Sequence, residues 1–220
     1  MKVTYAQIQS SDEIRTYIAQ ADASLTARGF TEHSFPHVTK CAETAAGLLK
    51  DLGYDERQQE LARIAGFMHD IGNLVNRYDH AISGATMAFR ILDHMGMDPA
   101  EVAAVSTAIG HHDAKTAFPV NAITAALILA DKTDVRRSRV RPKPLADFDI
   151  HDRVNYAVTD THLDIDVEKK EIRLDLQVDE SICTMFDYFD IFLSRMQMSR
   201  RACDVLGATF SLTVNGGKVL

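Results

Sequence analysis

The feature that most constrains this chain is an apolar helical run that ends on two titratable side chains. Leu61, Ile64, Ala65 and Met68 recur at i, i+3, i+4 and i+7, and the run closes at once on "HDIGN", residues 69–73. The spacing 61, 65, 69 keeps His69 on the buried face. An ionised carboxylate next to it, Asp70, costs several kcal/mol to bury unless something of opposite charge meets it. The same pattern recurs along the chain. His37 opens the helix that carries Cys41 and Ala45, and His80 stands just before the helix that carries Ala85, Ala88, Phe89 and Leu92. His111 and His112 end a helix that begins at Pro99, and Asp131 ends the "ALILA" helix.

A single buried histidine is ordinarily a hydrogen-bonded core residue. Two aspartates and several histidines, all closing or opening apolar helices, are not explained that way. Helix ends that converge can bring them to one spot, where a metal ion replaces lost hydration and keeps the carboxylates ionised. Imidazole and carboxylate without thiolate suit iron, manganese, zinc, cobalt or nickel. Asp70, beside one histidine, has two oxygens and can bridge a pair of ions. A pair about 3.5–4 Å apart clamps a phosphoryl oxygen and acidifies a water between them.

The rest of the chain sorts into two textures. Helical signals run from about 11 to 130. Asp55 followed by Gln58 reads as a capping box, and "DPAE" at 98–101 supplies an N-cap aspartate with proline at the first helical position. After Arg136, "RRSRVRPKP" reads as a loop. "LDIDVEKKEIRLDLQVD", 163–179, alternates with period two on both sides of "EKK", which predicts a β-hairpin. A helix from about 180 to 205 follows, and "TFSLTVNGGKV" is a candidate third strand. The expected fold is mainly α: a helical metal-binding domain over residues 1–140 and a small α+β appendage over 141–220.

With 220 residues the chain can bury a full core. Its net charge of −7 argues against non-specific nucleic-acid binding but not against a small phosphorylated substrate. Cys41, Cys183 and Cys203 are odd in number and lack metal-type spacing, so reduced thiols are expected. The N-terminal "MKVTYAQIQSSDEIRTYI" has no apolar segment of the secretory type. The apolar stretch "AITAALILA" falls short of the about 20 residues that span a bilayer. A soluble, cytoplasmic protein is the expectation, with no membrane partner.

His37, "HD" at 69 and 70, and Asp131 in "ILADKTD" resemble the H…HD…D signature of the HD-domain metal-dependent phosphohydrolase superfamily. The local strings "MHDIGN", "HAISGA", "GHHD" and "LADKTD" strengthen the resemblance, which covers roughly residues 30 to 140. It implies an all-helical core, a centre on His37, His69, Asp70 and Asp131, and cleavage of phosphoester or phosphoanhydride bonds, often in nucleotides. His80, His111 and His112 resemble the extra ligands of members that hold two ions bridged by the aspartate corresponding to Asp70. By helical stripe, Val102, Val105, Ile109 and His112 share a face, which favours His112 as the ligand, but Gly110 can end the helix before either. Both are kept as ligand candidates, the other being free to touch substrate or donate a proton, and Asp70, His111 and His112 are the catalytic candidates. "GHHDAKTAFPVN" lacks the Gly-Tyr-Pro string of the cyclic-dinucleotide phosphodiesterase branch, and Asn73 stands where many relatives have lysine.

Lys132, Arg136, Arg137, Arg139, Arg141 and Lys143 form either a phosphate clamp or a solvated linker, Arg136 being the foremost candidate. Arg77, Lys115 and Asn73 are further substrate candidates. His33, His94, His151 and His162 have no place in the pattern. The hairpin suits either a homodimer face or a lid. Two other functions share the ligand set: a di-iron oxygenase and a non-catalytic metal- or nucleotide-binding module.

Overall fold

The computed structural model describes residues 2–113 and 117–220. Two short N-terminal helices, α1 (Tyr5–Ser10) and α2 (Asp12–Ala27), precede the helices that build the centre of the molecule. These are α3 (Phe35–Asp51), α4 (Glu56–Met68), α5 (His80–His94), α6 (Pro99–Gly110) and α7 (Ala122–Thr133). Their starts follow from local chemistry. Asp55 accepts the Gln58 amide at 2.9 Å and Asp98 the Ala100 amide at 2.9 Å, each meeting a donor the helix leaves orphaned. Of the capping box expected at Asp55, this half is the one present.

α3 and α4 cross closely because Gly66 faces α3: a Cβ there would lie 2.7 Å from the Ala42 Cα. Gly72, in the 3₁₀ turn Ile71–Leu74 after "HD", has the same role toward the next helix. A Cβ there would overlap the His80 carbonyl and the Gly84 amide. This close approach brings the start of α5 against the end of α4. α7 threads the middle, with Ala125, Ala126, Leu127, Ile128 and Leu129 fully buried. Such all-round burial explains why its sequence is apolar without a polar stripe.

The C-terminal part has α8 (Ile150–Ala157), β1 (Val158–Asp166), β2 (Glu171–Val178), α9 (Met185–Val205), β3 (Thr209–Val214) and β4 (Gly217–Lys218). β1 and β2 form the expected antiparallel hairpin, turning at Lys170 with φ 52°. The candidate third strand joins it, but in parallel with β2, because α9 carries the chain back before β3 begins. β4 then pairs antiparallel with β3. Alternation along β2 buries Ile172, Leu174, Leu176 and Val178. Leu174, Leu176 and Val178 meet Tyr188, Phe192 and Met196 of α9 in a second apolar cluster. The other face of α9 places Met198, Ala202 and Cys203 in the same core as α3, α4 and α7. The appendage therefore shares the central core, and residue 140 marks a change of texture with no break in packing. All three cysteines are free and buried. Among the described residues no helix is long and apolar enough to cross a membrane.

The basic stretch after α7 is bonded to neighbouring backbone and carboxylates. Arg139 donates to the Glu32 carbonyl at 3.0 and 2.9 Å, and Arg141 donates to the Phe30 carbonyl at 2.8 Å and pairs with Asp22 at 2.6 Å. These guanidinium groups tie residues 134–141 to the loop that leads from α2 into α3.

Candidate metal centre

Four imidazoles and two carboxylates from five segments meet where α3, α4, α5, α6 and α7 begin or end. His37 sits in the first turn of α3, His69 caps α4, Asp70 follows it, His80 opens α5 and Asp131 lies near the end of α7. α6 ends at Gly110, so His111 is its C-cap and His112 lies just beyond. His37, His69, Asp70, His80 and His112 are buried.

Each imidazole is oriented by a fixed acceptor at Nδ1. His69 donates to the Gly66 carbonyl at 2.7 Å, His80 to the Arg77 carbonyl at 3.1 Å and His112 to the Ile109 carbonyl at 2.6 Å. His37 donates to the Asp134 carboxylate at 2.8 Å. A carbonyl accepts only, so Nδ1 carries the proton and Nε2 presents its lone pair. The Nε2 atoms of His37, His69 and His80 face the carboxylates. His37 Nε2 lies 3.5 Å from Asp70 Oδ2 and 3.4 Å from Asp131 Oδ1. His69 Nε2 lies 3.2 Å from Asp70 Oδ2 and 3.9 Å from Asp131 Oδ1. The other oxygen of Asp70 lies 3.4 Å from His80 Nε2, which is itself 3.3 Å from His112 Nε2.

Lone pair thus faces lone pair at several contacts. His69 Nε2 and Asp70 Oδ2 are close, yet neither has a hydrogen-bond partner among the described residues, and both are buried. Acceptors crowded together and out of water repel unless a cation sits among them. The donor set fits a divalent ion: ligand atoms of His37, Cys41, His69 and Asp131 lie within 4.8 Å of one another, as do those of His69, Asp70 and His112.

The electrostatics agree. Burial holds the His112 imidazole down to about 3 and lowers that of His80, so both are neutral, as ligands must be. Burial opposes a charge on Asp70 and Asp131 alike. His69 beside the first and Lys132 beside the second nevertheless hold them well below the usual carboxylate range. His37 has its pKa raised despite its own burial, because Asp131 and Asp134 bracket the ring.

Asp134 was not singled out in the sequence. It is buried and holds His37 Nδ1, Lys40 at 2.9 Å and Arg136 at 2.9 Å. Its signal is the last residue of "LADKTD": a ligating imidazole needs an acceptor behind it. Cys41 Sγ lies 3.6 Å from the His37 ring, but burial raises its pKa, so it is a neutral thiol.

A cavity of 280 Å³ opens over the cluster, lined by Asp70, His80 and Asp131 among others. Of the substrate candidates, Arg77 lines it, bonded to Asn73 at 3.3 Å and close to His80. Arg136 turns away to Asp134 and Glu32, and it lines no part of the cavity. Asn73 is buried and donates to the Asp70 carboxylate at 2.9 Å, which makes it a positioning residue for Asp70. Lys115 lies outside the described residues. His111 is outside the cavity lining and the imidazole cluster. His33 and His151, without a place in the sequence pattern, both line the cavity. So do Lys132, bonded to Asp131 at 2.6 Å, and Arg139.

No curated protein matches this sequence. A solved structure of a predicted HD superfamily hydrolase from an uncultured Thermotogales bacterium is 29% identical, over 56% of this chain and 67% of that one, with a TM-score of 0.45. The HD domain family matches residues 35–157, a span that opens just before His37 and runs past Asp131 to the end of α8. The chain belongs to the HD domain family.

Proposed function

We propose that this protein is a metal-dependent phosphohydrolase acting on a small phosphorylated molecule, with nucleotides as the first substrates to test. Family membership supports a metal-dependent hydrolase. The observation that carries the reading is the convergence of the His37, His69 and His80 Nε2 atoms on Asp70 and Asp131, with His112 Nε2 against His80, beneath a cavity bordered by cations. His37, His69, Asp70 and Asp131 would hold one divalent ion; Asp70, His80 and His112 would hold another. Bound there, such ions polarise a phosphoryl oxygen and lower the pKa of water.

The chain's own groups prepare the rest. Asp134 and the carbonyls of Gly66, Arg77 and Ile109 fix the ring orientations, so little reorganisation is left for the reaction. Asn73 holds Asp70 in place for both ions. Lys132 offsets the charge of Asp131 on the cavity side. The Arg77 guanidinium faces the same cavity, where phosphate oxygens are its natural partners.

The test is a panel of phosphomonoesters, diesters and nucleotides with protein loaded with manganese, cobalt or iron, run with and without dioxygen. Phosphate or nucleotide release in both atmospheres is expected. His69→Ala and Asp70→Ala should abolish it, and undiminished turnover in both variants would sink the proposal.

A further inference from the structure

Most cations that line the cavity are already committed. Lys132 bonds Asp131 and Arg139 bonds the carbonyls of Glu32 and Asp134, while Arg77 gives one N–H to Asn73 and keeps the rest for the cavity. Arg195 is different. It comes from α9, outside the span that the HD family matches, and it lines the same cavity as Asp70, His80 and Asp131. Its guanidinium stacks on the Phe192 ring, 4.4 Å from the centroid. Among the described residues no carboxylate or carbonyl accepts from it. A guanidinium removed from most of its water without an ion pair is costly, and burial pushes its pKa down to about 10. It stays charged at neutral pH, favoured by the nearby charge of Asp131, so among the described residues Arg195 is a cavity-lining planar cation without a hydrogen-bonded ion pair. α8 adds polar groups to the same wall, but Asp152 there is neutralised by Lys143 at 2.5 Å.

We propose that Arg195 anchors the phosphate of the substrate, so that the C-terminal appendage forms one wall of the active site. The proposal rests on the phosphohydrolase reading and supplies the clamp that Arg136 does not. Phe192 supports the guanidinium at the cavity wall, and with no acceptor on it among the described residues its N–H groups can take phosphate oxygens. At 280 Å³ the cavity lies just below the about 300–1,000 Å³ range of small-molecule sites, which favours a compact phosphate ester over a polymer.

The test uses the full-length, metal-loaded protein and inorganic phosphate as the probe, with affinity read by calorimetry. Arg195→Gln should weaken phosphate about 10- to 100-fold, as loss of a charge-assisted pair does. Metal content should stay at the wild-type level. Arg195→Met keeps the apolar stem on Phe192 and removes the charge, so it separates recognition from packing. It should lose phosphate affinity as Gln does, and Arg195→Lys should recover part of it. With a turned-over ester, KM should rise by a similar factor while kcat changes far less. Wild-type phosphate affinity in both the Gln and Met variants overturns the anchor, as does wild-type protein that binds no phosphate. Arg195-dependent phosphate binding without hydrolysis of any ester would leave the anchor standing and remove the phosphohydrolase reading instead.

Discussion

Asp134 shows at the residue scale how much of the centre is built behind the ligands. It is buried, it accepts from His37 Nδ1, and Lys40, Arg136 and Arg139 surround it. Burial alone would raise its carboxyl, but His37 and Arg139 outweigh that and hold it well below the usual carboxylate range. An anionic acceptor fixes the tautomer of His37 and makes Nε2 a stronger donor to a cation. Asp134→Asn retains the shape and loses the charge. It should weaken divalent-metal affinity about 10- to 100-fold, the usual effect of losing such a partner. Metal titration of the variant checks this; an affinity equal to wild type would remove Asp134 from the centre.

Among elements, the joints between helices carry the geometry. Gly66 lets α3 and α4 touch, and Gly72 lets α5 start against the turn that holds Asp70. On the far side from the cluster, Arg57 of α4 bonds Glu101 of α6 at 2.6 and 2.5 Å and also reaches the Val3 carbonyl. That bond from Arg57 is the main reason the Glu101 carboxyl sits below its usual range. The group's folded pKa is depressed, so its stabilising contribution is present above the unfolded value, about 4.3, and fades as pH falls through the folded one. For a partly exposed pair the size is about 1 kcal/mol or less. Glu101→Gln should therefore lower Tm slightly at neutral pH and lose less of it than wild type on acidification below about pH 4.3. Parallel Tm curves from pH 7 to pH 3 for the two proteins would show that the pair carries no acid-sensitive stability.

At the scale of the whole molecule, the helical part and the appendage are one packed body. Met198, Ala202, Cys203, Leu206 and Ala208 lie in the core built by α3, α4 and α7, and Ile172 reaches it from the sheet. Removing them would expose apolar surface along α7, whose polar residues cluster at its end. A chain cut at residue 140 should lose the cooperative thermal unfolding of the full protein and precipitate or bind hydrophobic dye. Calorimetry with circular dichroism checks this, and a cooperative transition at the wild-type Tm would show that the helical part folds alone. The same packing delivers Arg195 to the cavity.

The sequence by itself determined the elements and the kind of chemistry. Helical periodicity, the caps at Asp55 and Asp98 and the period-two hairpin are local signals, each written within one or two turns of chain. The H…HD…D pattern was legible because several carboxylates and imidazoles that end apolar helices are costly to bury unless they meet, and because it resembles a known family's signature. What the tertiary structure decided depends on groups far apart in sequence. His112 packs against His69 and His80 while His111 stays outside the cavity lining, and because α6 stops at Gly110 helical spacing does not decide between them. Arg136 stands within a turn's reach of Asp131 in sequence, yet the buried charge of Asp134 captured it. Arg195 carries no local mark at all. Its place over the cluster follows from α9 packing on α7, a contact between surfaces that no short stretch of residues encodes.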